Sequence, residues 1–216
     1  MNLPNGITIA RIAATPIIFA LILSKDFSTL LIAFVLFVVA AVTDLWDGYL
    51  ARRRGEITDF GKLADPIADK LLVVATFLPF YIFSHRPNTA DVAVVPAWGT
   101  LPLWVLLVVF GRELLVTIFR ALAKRRGVVI AAGREGKFKA LVQNLFIGSL
   151  ILWLALRARA LAASWDSPFW SFWKAFHGSF VAVSLALAVV LTAYSMLVYF
   201  WRYRSLVSGP ETTHGR

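Results

Sequence analysis

Apolar residues are concentrated in six stretches, each about as long as the hydrocarbon core of a membrane is thick. A helix needs about 20 predominantly apolar residues to cross that core. The first stretch has no basic residue before its apolar run and is interrupted by Arg11 and Pro16, which argues against a cleaved signal peptide. The pattern predicts an all-α membrane protein, one domain over residues 1–216, with transmembrane helices at 7–23, 28–50, 66–83, 101–122, 138–156 and 180–200.

The composition excludes two other classes of protein. The 216 residues are 59% hydrophobic and 16% charged, whereas a soluble domain averages roughly 45–50% apolar and 25% charged residues. Disorder is excluded because the chain is too hydrophobic. The absence of cysteine excludes disulfides, thiolate metal sites and a cysteine nucleophile. The three histidines, His85, His177 and His214, fall outside the six stretches and are predicted to be solvated.

The basic residues predict the orientation in the membrane. The formal net charge is +10, with 22 Lys and Arg against 12 Asp and Glu. The connections after the first, third and fifth stretches hold few basic residues: Lys25, Arg86, Arg157, Arg159 and Lys174. Lys and Arg in short loops stay on the cytoplasmic side. Both termini are therefore predicted to be cytoplasmic, and the Trp-rich segment 158–176 is predicted to lie on the outer side.

Four acidic residues lie at the edges of two neighbouring stretches. Asp44 and Asp47 come near the end of the second stretch, and Asp65 and Asp69 near the start of the third. At about 100° per residue, each pair lies on one face of its helix. Those faces also carry Gly48, Ala51, Arg52 and Gly61. The spacing therefore predicts a shared cleft with room for a ligand close to the backbone.

Four carboxylates at a membrane edge need compensating charge. An ionised Asp at the centre of a spanning helix costs roughly 2.5–3.5 kcal/mol, and neighbouring carboxylates repel each other. Oxygen ligands without His or Cys favour Mg²⁺ or Mn²⁺. Two divalent cations between carboxylates are suited to displacement at phosphorus. The alternatives are structural ion pairs with Arg52, Arg53, Lys62 and Lys70, or an ion site in a cation transporter.

The complete pattern Asp44-x2-Asp47-Gly48-x2-Ala51-Arg52-x8-Gly61-x3-Asp65-x3-Asp69 resembles the signature of the CDP-alcohol phosphotransferases. The resemblance implies transfer of a substituted phosphoryl group from a CDP-linked donor to an alcohol, with release of CMP. It implies that the four aspartates ligate two divalent cations and that Asp69 is the catalytic base. Asp44, Gly48, Ala51, Arg52, Gly61 and Asp65 would bind the CDP donor. It also implies a homodimer whose cleft opens to the cytoplasm.

Further motifs resemble one branch of that family, the bacterial phosphatidylglycerophosphate synthases. They are segment 2–11 (NLPNGITIAR), segment 65–70 (DPIADK), Arg112-Glu113 with Arg120, and Gly136-Lys137-x-Lys139. This resemblance implies an enzyme of phospholipid biosynthesis in the bacterial inner membrane. Its donor would be CDP-diacylglycerol and its acceptor glycerol 3-phosphate. Inositol phosphate and phosphatidylglycerol remain alternative acceptors.

Basic residues supply candidates for binding the acceptor phosphate. Arg112 and Arg120 lie within about 80° on the fourth helix, and Lys137 and Lys139 lie at the start of the fifth. The alternatives are a structural pair between Arg112 and an acid such as Glu113, headgroup contact for Arg120, and topology alone for the lysines. Thr8 and Arg11 are further candidates to close the site.

Overall fold

The computed structural model describes residues 3–54, 58–86, 94–96, 98–127 and 134–204, apart from the side chains of 3–4, 45–54, 59, 62–63 and 134–135. Within those ranges the chain is all-helical, with a single isolated bridge between Val95 and Gly99 in place of any sheet. The helices are α1 (Leu3–Ile22), α2 (Phe27–Arg54), α3 (Asp59–Ser84), α4 (Leu103–Arg125), α5 (Arg134–Ala162) and α6 (Pro168–Tyr203).

Five of these helices are long and apolar enough to cross a membrane, and α4 is the exception. Arg112, Glu113 and Arg120 interrupt its apolar sequence. The all-α membrane architecture is therefore confirmed to the extent of six helices and five apolar spans. The sixth span and the side of the termini stay predictions.

Two helices begin well before the predicted apolar stretch. Helix α3 begins at Asp59 rather than at residue 66, because the Thr58 side chain caps it by accepting a hydrogen bond from the Gly61 amide. Helix α6 begins at Pro168 rather than at residue 180, with Ser167 as its cap. A cap and a proline at the first helical position define a helix start independently of hydrophobicity. The 36 residues of α6 extend about 54 Å, well beyond the roughly 30 Å hydrocarbon core.

The early start of α6 corrects the expectation for His177. This residue lies inside α6 and is buried, and its Nε2 is 3.0 Å from the Ser149 carbonyl oxygen on α5. The prediction of a solvated loop histidine was therefore wrong. The apolar stretch placed the start of the helix too late, at residue 180, because residues 168–179 mix aromatic and polar side chains.

The helices pack in a closed circuit in which each has two principal neighbours. Helix α1 packs on α2 and α3, α2 continues to α5, α5 to α6, α6 to α4, and α4 closes the circuit on α3. The centre is filled by large apolar side chains, including Phe37, Phe77, Phe80 and Phe146. This arrangement places the end of α2, the start of α3 and the first half of α1 side by side.

Candidate active site

The first half of α1 has a buried polar face. Thr8, Arg11 and Thr15 are all buried, and Ile18 and Ile22 continue the same face towards the other end. Their spacing of three and four residues places them in one row along a helix. Because α1 packs between α2 and α3, this row faces both helices that carry the aspartates.

Arg11 joins the two aspartate-bearing helices. Its Nη1 donates to Oδ1 of Asp44 on α2, and the same nitrogen lies 3.2 Å from Oδ1 of Asp69 on α3. The Arg11 side chain is only 1% exposed, whereas that of Asp69 is 59% exposed and that of Asp44 36%. The cation is therefore enclosed while the carboxylates it holds stay accessible from the cleft.

A second contact from α1 holds the remaining described aspartate of the motif. The Thr8 hydroxyl donates to Oδ1 of Asp65 at 2.8 Å. One turn earlier on α3, a side chain added at Gly61 would meet Thr58 Oγ1 at 3.2 Å and Asn5 Oδ1 at 3.4 Å. The Thr58 hydroxyl itself donates to Asn5 at 2.8 Å. Gly61 therefore lets the start of α1 approach α3 next to Asp65.

The other predicted donor-site residues belong to the last turns of α2. Asp47, Gly48, Ala51 and Arg52 are in the helix, and their side chains lie outside the described part of the structure. The same holds for Arg53 and Lys62, two of the basic residues considered as structural partners. Among the described side chains, Arg11 is an ion-pair partner of both Asp44 and Asp69.

A second charged cluster connects α4, α5 and α6. One oxygen of Glu113 accepts hydrogen bonds from Arg112 Nη1 at 2.9 Å and from Lys139 Nζ at 2.8 Å. Arg112 Nη2 also donates to the Ser195 hydroxyl at 3.3 Å. The side chains of Lys139 and Arg112 are 4% and 12% exposed. A buried lysine and a partly buried arginine therefore share one carboxylate, which leaves these three side chains with a net positive charge.

The two clusters lie within electrostatic range of each other. The Asp69 carboxylate is repelled by Asp44, Asp65 and Glu113 and attracted by Arg11. Lys139 is attracted by both Glu113 and Asp69. The acidic cluster and the basic cluster are therefore close enough for their charges to influence each other.

The four predicted acceptor cations fall into two pairs. Arg112 and Lys139 belong to the buried cluster around Glu113. Arg120 and Lys137 have exposed side chains and are not brought into that cluster. The sequence had pointed to Glu113 only as a neighbour of Arg112. Its contact with Lys139, 26 residues later, has no local sequence signal.

The donor set suits hard divalent cations. Asp44, Asp65 and Asp69 offer carboxylate oxygens, the ligands that Mg²⁺ and Mn²⁺ prefer, and no histidine joins them. Among the described residues, no three such groups are already close enough to hold an ion. The oxygen donors fit such a cation, and the Arg11 guanidinium contacts two of the predicted ligands, Asp44 and Asp69.

Comparison with known proteins adds an independent observation. A family described as CDP-alcohol phosphatidyltransferase matches residues 1–201. The CDP-diacylglycerol–glycerol-3-phosphate 3-phosphatidyltransferase of Bacillus subtilis (strain 168) is 37% identical over 163 residues, covering 70% of this chain and 77% of that protein. The proteins of the same name from Rickettsia bellii (strain RML369-C) and Pseudomonas fluorescens are 34% and 33% identical. They cover 70% and 92% of this chain, and 75% and 88% of their own lengths.

Proposed function

The chain belongs to the CDP-alcohol phosphatidyltransferase family, and on this basis we propose that it transfers the phosphatidyl group of CDP-diacylglycerol to glycerol 3-phosphate. The products are phosphatidylglycerophosphate and CMP. The observation that carries the proposal is the interaction of three motif aspartates with the neighbouring charged cluster of Arg112, Glu113 and Lys139. The names of the similar proteins support the same substrates.

All four aspartates serve as metal ligands, and Asp69 also serves as the base. Asp44, Asp47, Asp65 and Asp69 would hold two divalent cations, Mg²⁺ or Mn²⁺. When bound, these ions neutralise charge on the donor diphosphate and on the departing CMP. Gly48, Ala51, Arg52 and Gly61, with Asp44 and Asp65, complete the CDP-donor site. The high exposure of the Asp69 carboxylate supports its role as the base, because the acceptor hydroxyl must reach it.

The chemical step is a displacement at phosphorus. Asp69 takes the proton from the acceptor hydroxyl, and the oxygen forms a bond to the phosphorus that carries diacylglycerol. The bond from that phosphorus to the oxygen of CMP breaks, and CMP leaves with the electron pair. The acceptor phosphate binds to Arg112 and Lys139, which keep unused N–H donors besides those given to Glu113 and Ser195. Arg120 and Lys137 attract the acceptor from the cleft entrance.

The location of the site follows from the basic residues near it. The aspartate end of α2 and α3 lies next to the basic segment Arg52–Arg54, and α4 ends in Lys124 and Arg125. Such residues remain on the cytoplasmic side. We therefore place the cleft at the cytoplasmic face of the bacterial inner membrane, with both termini inside, six spans in one domain and a homodimeric assembly. Light scattering of the detergent-solubilised protein measures the assembly state.

A single assay tests the proposed reaction. The purified protein in detergent is given labelled CDP-diacylglycerol with glycerol 3-phosphate, inositol phosphate or phosphatidylglycerol, with and without Mg²⁺ or Mn²⁺. We expect CMP release only with glycerol 3-phosphate and a divalent cation. Release with another acceptor alone would reassign the acceptor, and no release with any acceptor would reject the enzyme assignment.

A further inference from the structure

Arg11 is an unusual residue for its position. It lies in an apolar helix and is one of the most buried charged residues in the described part of the chain. A buried guanidinium persists only when carboxylates compensate for its lost hydration. Its carboxylates are Asp44 and Asp69, which also belong to the proposed metal site.

The geometry makes Arg11 and a metal ion competitors. One nitrogen, Nη1, contacts Oδ1 of Asp44 and Oδ1 of Asp69. A divalent cation held by the same carboxylates competes with Arg11 for their negative charge, and for Oδ1 wherever it binds that oxygen. It also has to approach the like charge of a guanidinium that is itself enclosed by the protein.

Resting on the proposed function, we infer that Arg11 is the resident counter-cation of the metal-free enzyme and limits its affinity for divalent cations. Without metal, Arg11 keeps α2 and α3 together against the mutual repulsion of their carboxylates. When metal binds, the guanidinium gives up at least one carboxylate. The donor diphosphate brings negative charge into the cleft, so it favours this exchange, and metal and donor bind more tightly together than separately.

Thr8 is a second residue of α1 that contacts an aspartate of the motif. It lies one turn before Arg11 on the same buried face and holds Asp65 by a neutral hydrogen bond. A hydroxyl does not repel a cation as a guanidinium does. The competition is therefore specific to the oxygens that Arg11 contacts.

Binding of Mn²⁺ without substrate tests the inference. Free Mn²⁺ is measured by electron paramagnetic resonance during titration of the native protein, Arg11→Met, Arg11→Lys and Lys124→Met. Methionine keeps much of the length of Arg11 without its charge. Lys124 is an exposed cation at the end of α4, so its variant is the matched control for loss of one positive charge.

We expect the Kd for Mn²⁺ to fall at least about tenfold in Arg11→Met, because removing a nearby like charge favours the ion. The Kd of Arg11→Lys should lie between those of Arg11→Met and the native protein. The Kd of Lys124→Met should equal that of the native protein. We also expect CDP-diacylglycerol to tighten Mn²⁺ binding more in the native protein than in Arg11→Met.

The outcomes separate this inference from the proposed function. An unchanged or higher Kd in Arg11→Met overturns the role of Arg11 and leaves the metal-dependent function standing. If no variant binds Mn²⁺, with or without donor, both are overturned. If Arg11→Met is recovered folded only in the presence of Mn²⁺, the counter-cation role is supported. If it cannot be recovered at all, Arg11→Gln, which also lacks the charge, takes its place, and a native Kd in that variant overturns the inference.

Discussion

Replacing Lys139 by methionine removes one charge from the basic cluster and leaves most of the side-chain volume. The Lys139 side chain is 4% exposed, and its ammonium donates to Glu113 at 2.8 Å. Two residues earlier, Lys137 is exposed on the same helix and offers a matched control. The two variants have the same change of charge and shape, so they differ only in what the tertiary structure does with each lysine.

The expected loss of stability follows from this one contact. A hydrogen bond to a charged group is worth about 1.5–3 kcal/mol. Removing Lys139 also removes the cost of burying its charge, so the expected loss of stability is at the lower end of that range, about 1.5–2 kcal/mol. A chain of this size loses roughly 2–4 °C of melting temperature per kcal/mol, so Lys139→Met should melt about 3–8 °C lower. Lys137→Met should stay within about 0.5 kcal/mol of the native protein.

Thermal unfolding in detergent, followed by the fluorescence of the eight tryptophans, measures both values. The double variant Lys139→Met with Glu113→Gln should lose less than the sum of the single variants, because the residues share one contact. In the CMP-release assay, Lys139→Met should raise the KM for glycerol 3-phosphate about tenfold or more. Equal melting temperatures for the two lysine variants, or additive losses in the double variant, would refute the reasoning.

Three further outcomes are expected. Asp69→Asn should lower CMP release by about 10²–10⁴-fold, the usual contribution of a general base, while equilibrium binding of CDP-diacylglycerol persists; near-native turnover would exclude Asp69 as the base. Gly61→Ala should lower the melting temperature, because its methyl group would lie 3.2 Å from Thr58 Oγ1. Gly111→Ala on α4 meets no atom within 4 Å and should raise the melting temperature by gaining helix propensity. A change of the same sign in both variants would contradict this expectation. Asp26 caps α2 by accepting hydrogen bonds from the Thr29 amide and hydroxyl, and these hydrogen bonds lower the pKa of Asp26. Asp26→Ala should therefore melt below the native protein at neutral pH, and this difference should disappear as the pH falls below that lowered pKa. A difference in melting temperature that does not change with pH would rule out the charged cap.

Helix number was predictable from the sequence because six apolar stretches of membrane length leave the chain few alternatives. The helix ends were not. The start of α6 depends on Ser167 and Pro168, and the start of α3 on Thr58, and none of these is a hydrophobic signal. A length of helix outside the hydrocarbon core is stabilised by capping and by packing, which a hydrophobic window does not detect. This is why His177 was assigned to a loop.

The candidate site divides in the same way. The spacing of the four aspartates is a local property of two helices. It predicted that each pair lies on one face of its helix and that their oxygens suit divalent cations. The sequence alone could not predict which cation balances them. The side chains of Arg52, Arg53 and Lys62 lie outside the described part of the structure, whereas Arg11 contacts Asp44 and Asp69 from 33 and 58 residues away in the sequence. Its position depends on the packing of α1 between α2 and α3.

The sequence by itself determined the class of the protein, the sign of its net charge and the identity of its acidic motif. Periodicity and composition act through local geometry and through the membrane, so they need no knowledge of which helices touch. The tertiary structure alone decided the distant partners: Arg11 with two aspartates, Thr8 with Asp65, and Lys139 with Glu113. These contacts join residues far apart in the chain. They are set by the closed circuit of helices, in which a buried charge must find its counter-charge on whichever neighbour lies within reach.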